Sequence, residues 1–204
     1  MKITLVIIAA TIIVGLFYSS AGHQTEAAKV VNRFIMPDSE FRTGDVILRS
    51  GKGLVSDMFR KFNLSGAPWS HAGILVRKND QWLVYHIIGN AGDPNHRIKS
   101  ETISSFCHSA YNTGFALYRN SQTVPDTTLI LHYLDSLRNS GVTFDHQFNL
   151  NDDQKLYCTE LVYKTLRRAG FDSIPVSVLN GQHYVAADDL YRHASIRKVT
   201  EIHY

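Results

Sequence analysis

Two β-prone runs, at residues 69–77 and 82–89, constrain the fold of this chain more than any other feature. The first reads Trp69-Ser70-His71-Ala72-Gly73-Ile74-Leu75-Val76-Arg77 and the second Trp82-Leu83-Val84-Tyr85-His86-Ile87-Ile88-Gly89. Only the polar stretch Lys78-Asn79-Asp80-Gln81 separates them. Such runs about a short polar turn form an antiparallel hairpin. A two-residue loop at Lys78-Asn79, or a four-residue loop over 77–80, sets His71 opposite His86. A loop centred on Asn79-Asp80 shifts the pairing by two residues. Side chains alternate along a strand, so every even-length loop leaves both imidazoles on one face and only an odd-length loop separates them.

The second informative stretch is Tyr157-Cys158-Thr159-Glu160-Leu161-Val162, continued by Tyr163-Lys164-Thr165-Leu166-Arg167-Arg168-Ala169 and Gly170. Leu161, Val162, Thr165, Leu166 and Ala169 share one side of a helix. Gly170 is a natural stop, and Lys164, Arg167 and Arg168 sit where the helix dipole favours cations. Cys158 then falls in or just before the first turn, where unpaired N–H groups favour thiolate over thiol. Glu160 is placed to cap or steady the helix start.

The rest of the chain supplies the frame. Thr43-Gly44-Asp45, with Asp45 anchoring a turn, leads into a strand at Val46-Ile47-Leu48. Leu54, Val55, Met58, Phe59 and Phe62 recur at helical spacing, predicting a helix over about 53–62 whose stripe is core. Ser50-Gly51-Lys52-Gly53 lacks the spacing and ending of a phosphate loop. Residues 90–97 read as loop, 101–107 are too mixed to assign, and 114–119 are a strand. Pro125-Asp126 opens a helix with the stripe Ile130, Tyr133, Leu134 and Leu137, closing near Gly141. Residues 171–181 read as loop, 188–191 as a turn or short helix, and 196–202 as a last strand. Residues 24–36 read as a short helix ended by Pro37.

At 204 residues and 44% hydrophobic, the chain suits one sizeable core. A net charge of +3 with no Lys/Arg run beyond two gives no nucleic-acid surface. Lys2, the uncharged run Ile3 to Tyr18 and Ser19-Ser20-Ala21-Gly22 describe an export signal, either cleaved or retained as a membrane anchor. The expected organisation is a signal or anchor at 1–22, a helical spacer at 23–40 and one domain at 41–204, located in the periplasm or cell envelope. Two cysteines in an exported chain allow a Cys107–Cys158 disulfide, which a nucleophilic Cys158 would forbid as a permanent bond.

Thiol hydrolysis of an amide or ester needs a nucleophile, an imidazole to take and return its proton, and a polar group to orient that imidazole. Cys158 can supply the first, His71 the second and His86 the third. The Cys158 backbone N–H can face a developing oxyanion. Taken alone, Cys158 reads more readily as a buried structural cysteine, and both histidines as ordinary polar residues of a half-buried sheet.

These motifs resemble the YiiX type of permuted papain-like amidases, a branch of the NlpC-type cysteine peptidases. The resemblance rests on residues 69–74, on the second histidine fifteen residues after His71, and on residues 157–162. Gly44-Asp45-Val46-Ile47-Leu48 and Asp188-Asp189-Leu190 are similar to the family's opening strand and closing segment. The resemblance implies an α+β fold, circularly permuted and papain-like or NlpC-like, with an antiparallel sheet flanked by helices and histidine preceding cysteine in the chain. It implies a cysteine amidase or peptidase with Cys158 as nucleophile and His71 as base, and no cofactor or metal. His86 falls where YiiX-like proteins usually carry glutamate. Tyr157, Ser70 and Asp45 are the candidate substrate contacts. The leading expected substrate is a peptide bond of peptidoglycan, with lipid or lipoprotein acyl groups next. Two other readings stand beside it. One is a zinc site of Cys158, His71 and His86, which no HExxH or CxxC pattern supports. The other is an envelope-binding module that has lost turnover.

Overall fold

The computed structural model describes residues 37–89 and 97–204. The expected helix over 24–36 and the apolar N-terminal run lie outside them. No helix among the described residues is long and apolar enough to cross a membrane.

In chain order the elements are β1 (Val46–Gly51), α1 (Leu54–Arg60), β2 (His71–Lys78), β3 (Gln81–Ile87), β4 (Ile98–Thr102), α2 (Ile103–Phe106), β5 (Asn112–Asn120), α3 (Thr127–Ser140), β6 (Thr143–Phe144), β7 (Lys155–Leu156), α4 (Cys158–Arg168), β8 (Ser177–Leu179), β9 (Gln182–Tyr184) and β10 (Ile196–His203). Six strands form one antiparallel sheet in the order β10-β5-β1-β2-β3-β4, while β6 with β7 and β8 with β9 make two-stranded pairs. The α+β class and the antiparallel sheet flanked by helices are as expected.

The β2–β3 hairpin turns at Asn79 and Asp80, with φ of 50° and 59°. Positive φ at both central residues is the type I′ turn that matches the twist of the flanking strands. Lys78 pairs with Gln81 and Ile74 with Tyr85, so the register is the one shifted by two, and His71 and His86 are diagonal neighbours on one face. Gly73 lies between them, where a Cβ would strike the Val84 side chain.

Alternation splits the core. Val46, Leu48, Ala72, Ile74, Tyr85 and Ile87 face α3 and α4, burying Ile130, Leu134, Leu161, Val162 and Leu166 with them. Ile47, Leu75, Val84 and Leu117 point the other way, against Phe41 and against Phe106 of α2. Asp126 caps α3 by accepting N–H bonds from Thr128 and Leu129 at 2.9 and 3.1 Å, and Gly141 closes it at φ 77°.

Three readings are corrected. The α1 stripe is not core: Leu54, Val55 and Met58 are 83%, 59% and 60% exposed, and only Phe59 and Phe62 turn inward. A seven-residue helix holds one row of contacts, and no described element covers its other side. Residues 171–181 are not all loop. β8 and β9 form a hairpin whose turn is Asn180 (φ 51°) and Gly181 (φ 81°), an Asn-Gly signal with strands too short to show alternation. No disulfide forms, because Cys107 and Cys158 are both free and buried.

Asp45 is also not where a substrate contact was expected. It is buried in front of β1, with Arg119 Nε and Nη2 donating to its two oxygens at 2.6 Å each. It also accepts the Arg42 N–H at 2.9 Å, which anchors the turn as read from sequence. It lines a cavity of about 480 Å³ with Phe41 and Trp82 that Cys158 does not share.

Candidate active site

The first intrahelical bond of α4 runs from Leu161 N–H to Tyr157 O at 2.9 Å, so the N–H groups of Cys158 and Thr159 precede the helical ladder. Glu160 reaches back to accept the Tyr157 N–H at 3.3 Å, one half of a capping box and the role expected of it. The helix packs on β2 at a place where that strand is incomplete. The β2–β3 ladder ends at Ile74 and Tyr85, two residues short of Ala72. The N–H of Ala72 is therefore left for another acceptor, and it hydrogen-bonds the Cys158 sulfur, as do the N–H groups of Thr159 and Cys158 itself. The thiol thus sits against the residue that follows His71.

His71 Nε2 lies 2.9 Å from His86 Nδ1, with the two rings nearly perpendicular and their centroids 5.0 Å apart. His86 Nε2 in turn lies 3.0 Å from Glu101 Oε1, bent away from linear hydrogen-bond geometry. Glu101 also accepts a short hydrogen bond from the Ser105 hydroxyl. The register explains the row. Arg49 of β1 pairs directly with His71, His86 follows Tyr85, the last β3 residue paired with β2, and Glu101 pairs with Val84, so each residue is opposite or diagonal to the next on one sheet face. Arg49 lies 4.4 Å over the Phe106 ring, donates to Phe106 O at 2.9 Å and comes within 3.8 Å of Glu101. Four adjacent strands therefore contribute Arg49, His71, His86 and Glu101 to one polar row beneath Phe106.

Burial sets the charge states. It lowers the His71 pKa well below 6.5, helped by the Arg49 and His86 charges. It also lowers that of His86, with Glu101 pulling the other way. Burial works to raise the Glu101 carboxyl, but hydrogen bonds from His86 and Ser105 and the Arg49 charge overcome it and bring it down to about 2. The row at neutral pH is two neutral imidazoles ending on a carboxylate. A carboxylate beside His86 Nε2 favours the proton there, so Nδ1 accepts from His71 Nε2–H. His71 Nδ1 is left with a free lone pair, the form a base requires.

The thiol departs from expectation. Burial raises the Cys158 pKa, outweighing the three backbone N–H bonds and the Arg49 charge that act to lower it. The helix start does favour thiolate, but desolvation at a buried sulfur is the larger effect. The resting pair is therefore thiol and neutral imidazole.

Ser70 and Tyr157 line a cleft of about 30 Å³ at Cys158, with Phe59, Phe62, Phe148 and Tyr184. Their hydroxyls are already engaged: Ser70 Oγ accepts the Gly51 N–H and Tyr157 Oη the Val185 N–H, both at 2.8 Å. Both residues shape the cleft. Glu101 and Arg49 were not singled out in the sequence; β4 carries one buried residue, Ile98, and so gave no apolar alternation to follow.

Glu160 adds a pH dependence of its own. Fully enclosed, its carboxyl is raised by burial from 4.5 to about 7, against the pull of Lys164 at 2.9 Å. Between those values the folded chain holds a proton that the unfolded chain has released, so this contribution favours the fold at low pH and is lost as pH rises through 7. Glu160→Gln is expected to remove about 2 kcal/mol of the stability decline between about pH 5 and pH 8, measured by denaturant unfolding at both.

An antiparallel sheet bearing a histidine row against a cysteine at a helix start defines the papain-like thiol hydrolases, here with the histidine strand ahead of the cysteine helix. The chain belongs to the permuted papain-like amidase family, YaeF/YiiX, C92, whose profile matches residues 40–199. It is similar in fold to a structure described as metalloprotein yiiX from Escherichia coli O157:H7, with a TM-score of 0.66 at 15% identity, covering 80% of this chain and 98% of that one. No curated protein matches the chain in sequence. Membership makes the chain a hydrolase of amide bonds.

Proposed function

We propose that the protein cleaves an amide through a thioester on Cys158, with His71 as base and His86 as its orienting partner. In this reading the Cys158 thiol gives its proton to His71 Nδ1 as sulfur attacks the carbonyl carbon. The N–H groups of Cys158 and Thr159 stand beside the oxyanion. His71 returns the proton to the departing nitrogen as the C–N bond breaks. Water, deprotonated by His71, then releases the acid and restores the thiol. The observation that carries the reading is the His71–His86 hydrogen bond in a strand whose next N–H holds the sulfur.

Peptide bonds of peptidoglycan suit an exported enzyme of this family, with export and envelope residence through the N-terminal apolar run. Amides of lipid acyl groups are the second reading, favoured by a cleft lining without any charged side chain. The E. coli neighbour is described as a metalloprotein. In this chain His71 Nε2 and His86 Nδ1 bond each other, and no group of three or more potential ligands comes together among the described residues. These donors do not fit a metal.

Acid-quenching the protein during turnover of a cell-wall and lipid extract is expected to leave an acyl adduct on the peptide containing Cys158, with its mass giving the acyl fragment. An adduct confined to other residues would overturn the assignment.

A further inference from the structure

The sheet face that carries the histidine row has a second polar end. Ile47, Leu75, Val84 and Leu117 cover the middle of that face. Two residues farther along each of these segments, away from the row, come Asp45, Arg77, Trp82 and Arg119. Side chains two apart in extended chain point the same way, so all four gather at the end opposite His71. Arg77 and His71 lie at the two ends of β2, about 20 Å apart along extended chain. There the four border a cavity of about 480 Å³, in the size range of small-molecule sites.

The floor of the cavity is aromatic: the Phe41 and Trp82 rings meet edge to face with centroids 5.7 Å apart. Its walls are cationic. Arg42, Arg77, Arg119 and Arg197 line it, against Asp45 as the one carboxylate among the described lining residues. Asp45 is committed to Arg119, whereas the Arg42 and Arg197 guanidiniums have no hydrogen-bond or ion-pair partner among the described residues. Arg77 stands 5.8 Å over the Trp82 ring, and its ion pair is with the exposed Asp80 of the hairpin turn at 3.3 Å. Arg197 pairs directly with Arg119 across β10 and β5, and like charges set opposite each other cost stability. Asp45 answers one of the two, and the other is left at the cavity wall.

We propose that this cavity is a second ligand site, for a small organic phosphate whose flat apolar body rests on Phe41 and Trp82 while its phosphate meets Arg42, Arg77 and Arg197. A planar guanidinium presents paired N–H donors that match two oxygens of one phosphate. Three such groups around one opening suit a dianion better than the single charge of a carboxylate. The aromatic floor gives the rest of the ligand an apolar seat with a preferred stacking geometry. The site is independent of the thiol reaction, since neither Cys158 nor His71 nor His86 lines it.

The test is calorimetric titration of the full chain with phenyl phosphate, inorganic phosphate, benzoate and benzyl alcohol. Phenyl phosphate is expected to bind saturably, about tenfold more tightly than inorganic phosphate because its ring is buried, and benzyl alcohol not detectably. Arg42→Gln and Arg197→Gln, both at exposed positions, are each expected to weaken phenyl phosphate by about tenfold. Trp82→Leu is expected to bring it down to the affinity of inorganic phosphate, and Cys158→Ala to leave it unchanged. No saturable binding, full affinity in both arginine variants, or loss of binding in Cys158→Ala would overturn the site. Benzoate binding as tightly as phenyl phosphate, or a diglutamyl peptide binding more tightly, would overturn the phosphate as its ligand.

Discussion

His71→Ala is expected to lower kcat for amide hydrolysis by about three to four orders of magnitude, the upper part of the range that a positioned acid–base group contributes. The size follows from the resting charge states. In an enzyme whose thiolate is held by groups other than the base, loss of the base leaves an ionised sulfur still able to attack. Here burial keeps the Cys158 thiol protonated, so without His71 there is neither a base nor a ready anion. The same argument fixes the pH profile. Activity falls on the acid side only as His71 takes up a proton, and its pKa lies well below 6.5. On the alkaline side the thiol ionises above its ordinary 9.0. The wild-type kcat/KM is therefore expected to be flat from pH 6.5 to 9.0. A rate that falls between those limits with the titration of an imidazolium would show a preformed ion pair instead. Thermal unfolding of His71→Ala supplies the control, since a folded variant without turnover separates base from scaffold.

What could be read from the sequence divides along a physical line. The hairpin, the stripe of α3 and the cysteine helix are legible because burial on one face imposes a period, and any even-length loop sets His71 and His86 on one face whatever their register. The α1 stripe misled for the same reason: helical spacing of Leu54, Val55 and Met58 shows a common side but not whether anything covers it. Glu101 left no trace, because β4 is an edge strand with mixed burial and its role comes from its register with β3, which no local pattern encodes. Desolvation of Cys158 was likewise invisible, since helix position is local and enclosure is tertiary. Asn180-Gly181 displays a hairpin turn openly, but the paired strands on either side are only three residues long and carry no period.

Glu101→Gln is expected to lower kcat by about ten- to a hundredfold and to move the acid limb of the pH profile downward. Its carboxylate lies beside the histidine row, and at about 2 its pKa keeps it ionised wherever hydrolysis would be assayed. In the proposed mechanism charge developing on His71 during attack is stabilised through His86, and Gln keeps the shape of the side chain without the Glu101 charge. The family resemblance places a glutamate at the position of His86, and this chain instead sets an imidazole there and carries the carboxylate one strand farther, on β4. Arg49 provides the matching control with opposite sign: its charge lowers the His71 pKa, so Arg49→Met is expected to move the acid limb upward. A purely structural role for either residue would lower activity through misfolding and leave the limb in place. Opposed shifts in the two variants require both charges to act on the same imidazole, and Glu101→Asp, which restores the charge at a slightly greater distance, is expected to recover part of the rate. If Glu101→Gln keeps full activity with an unmoved profile, His86 orients His71 unaided and the row ends at β3.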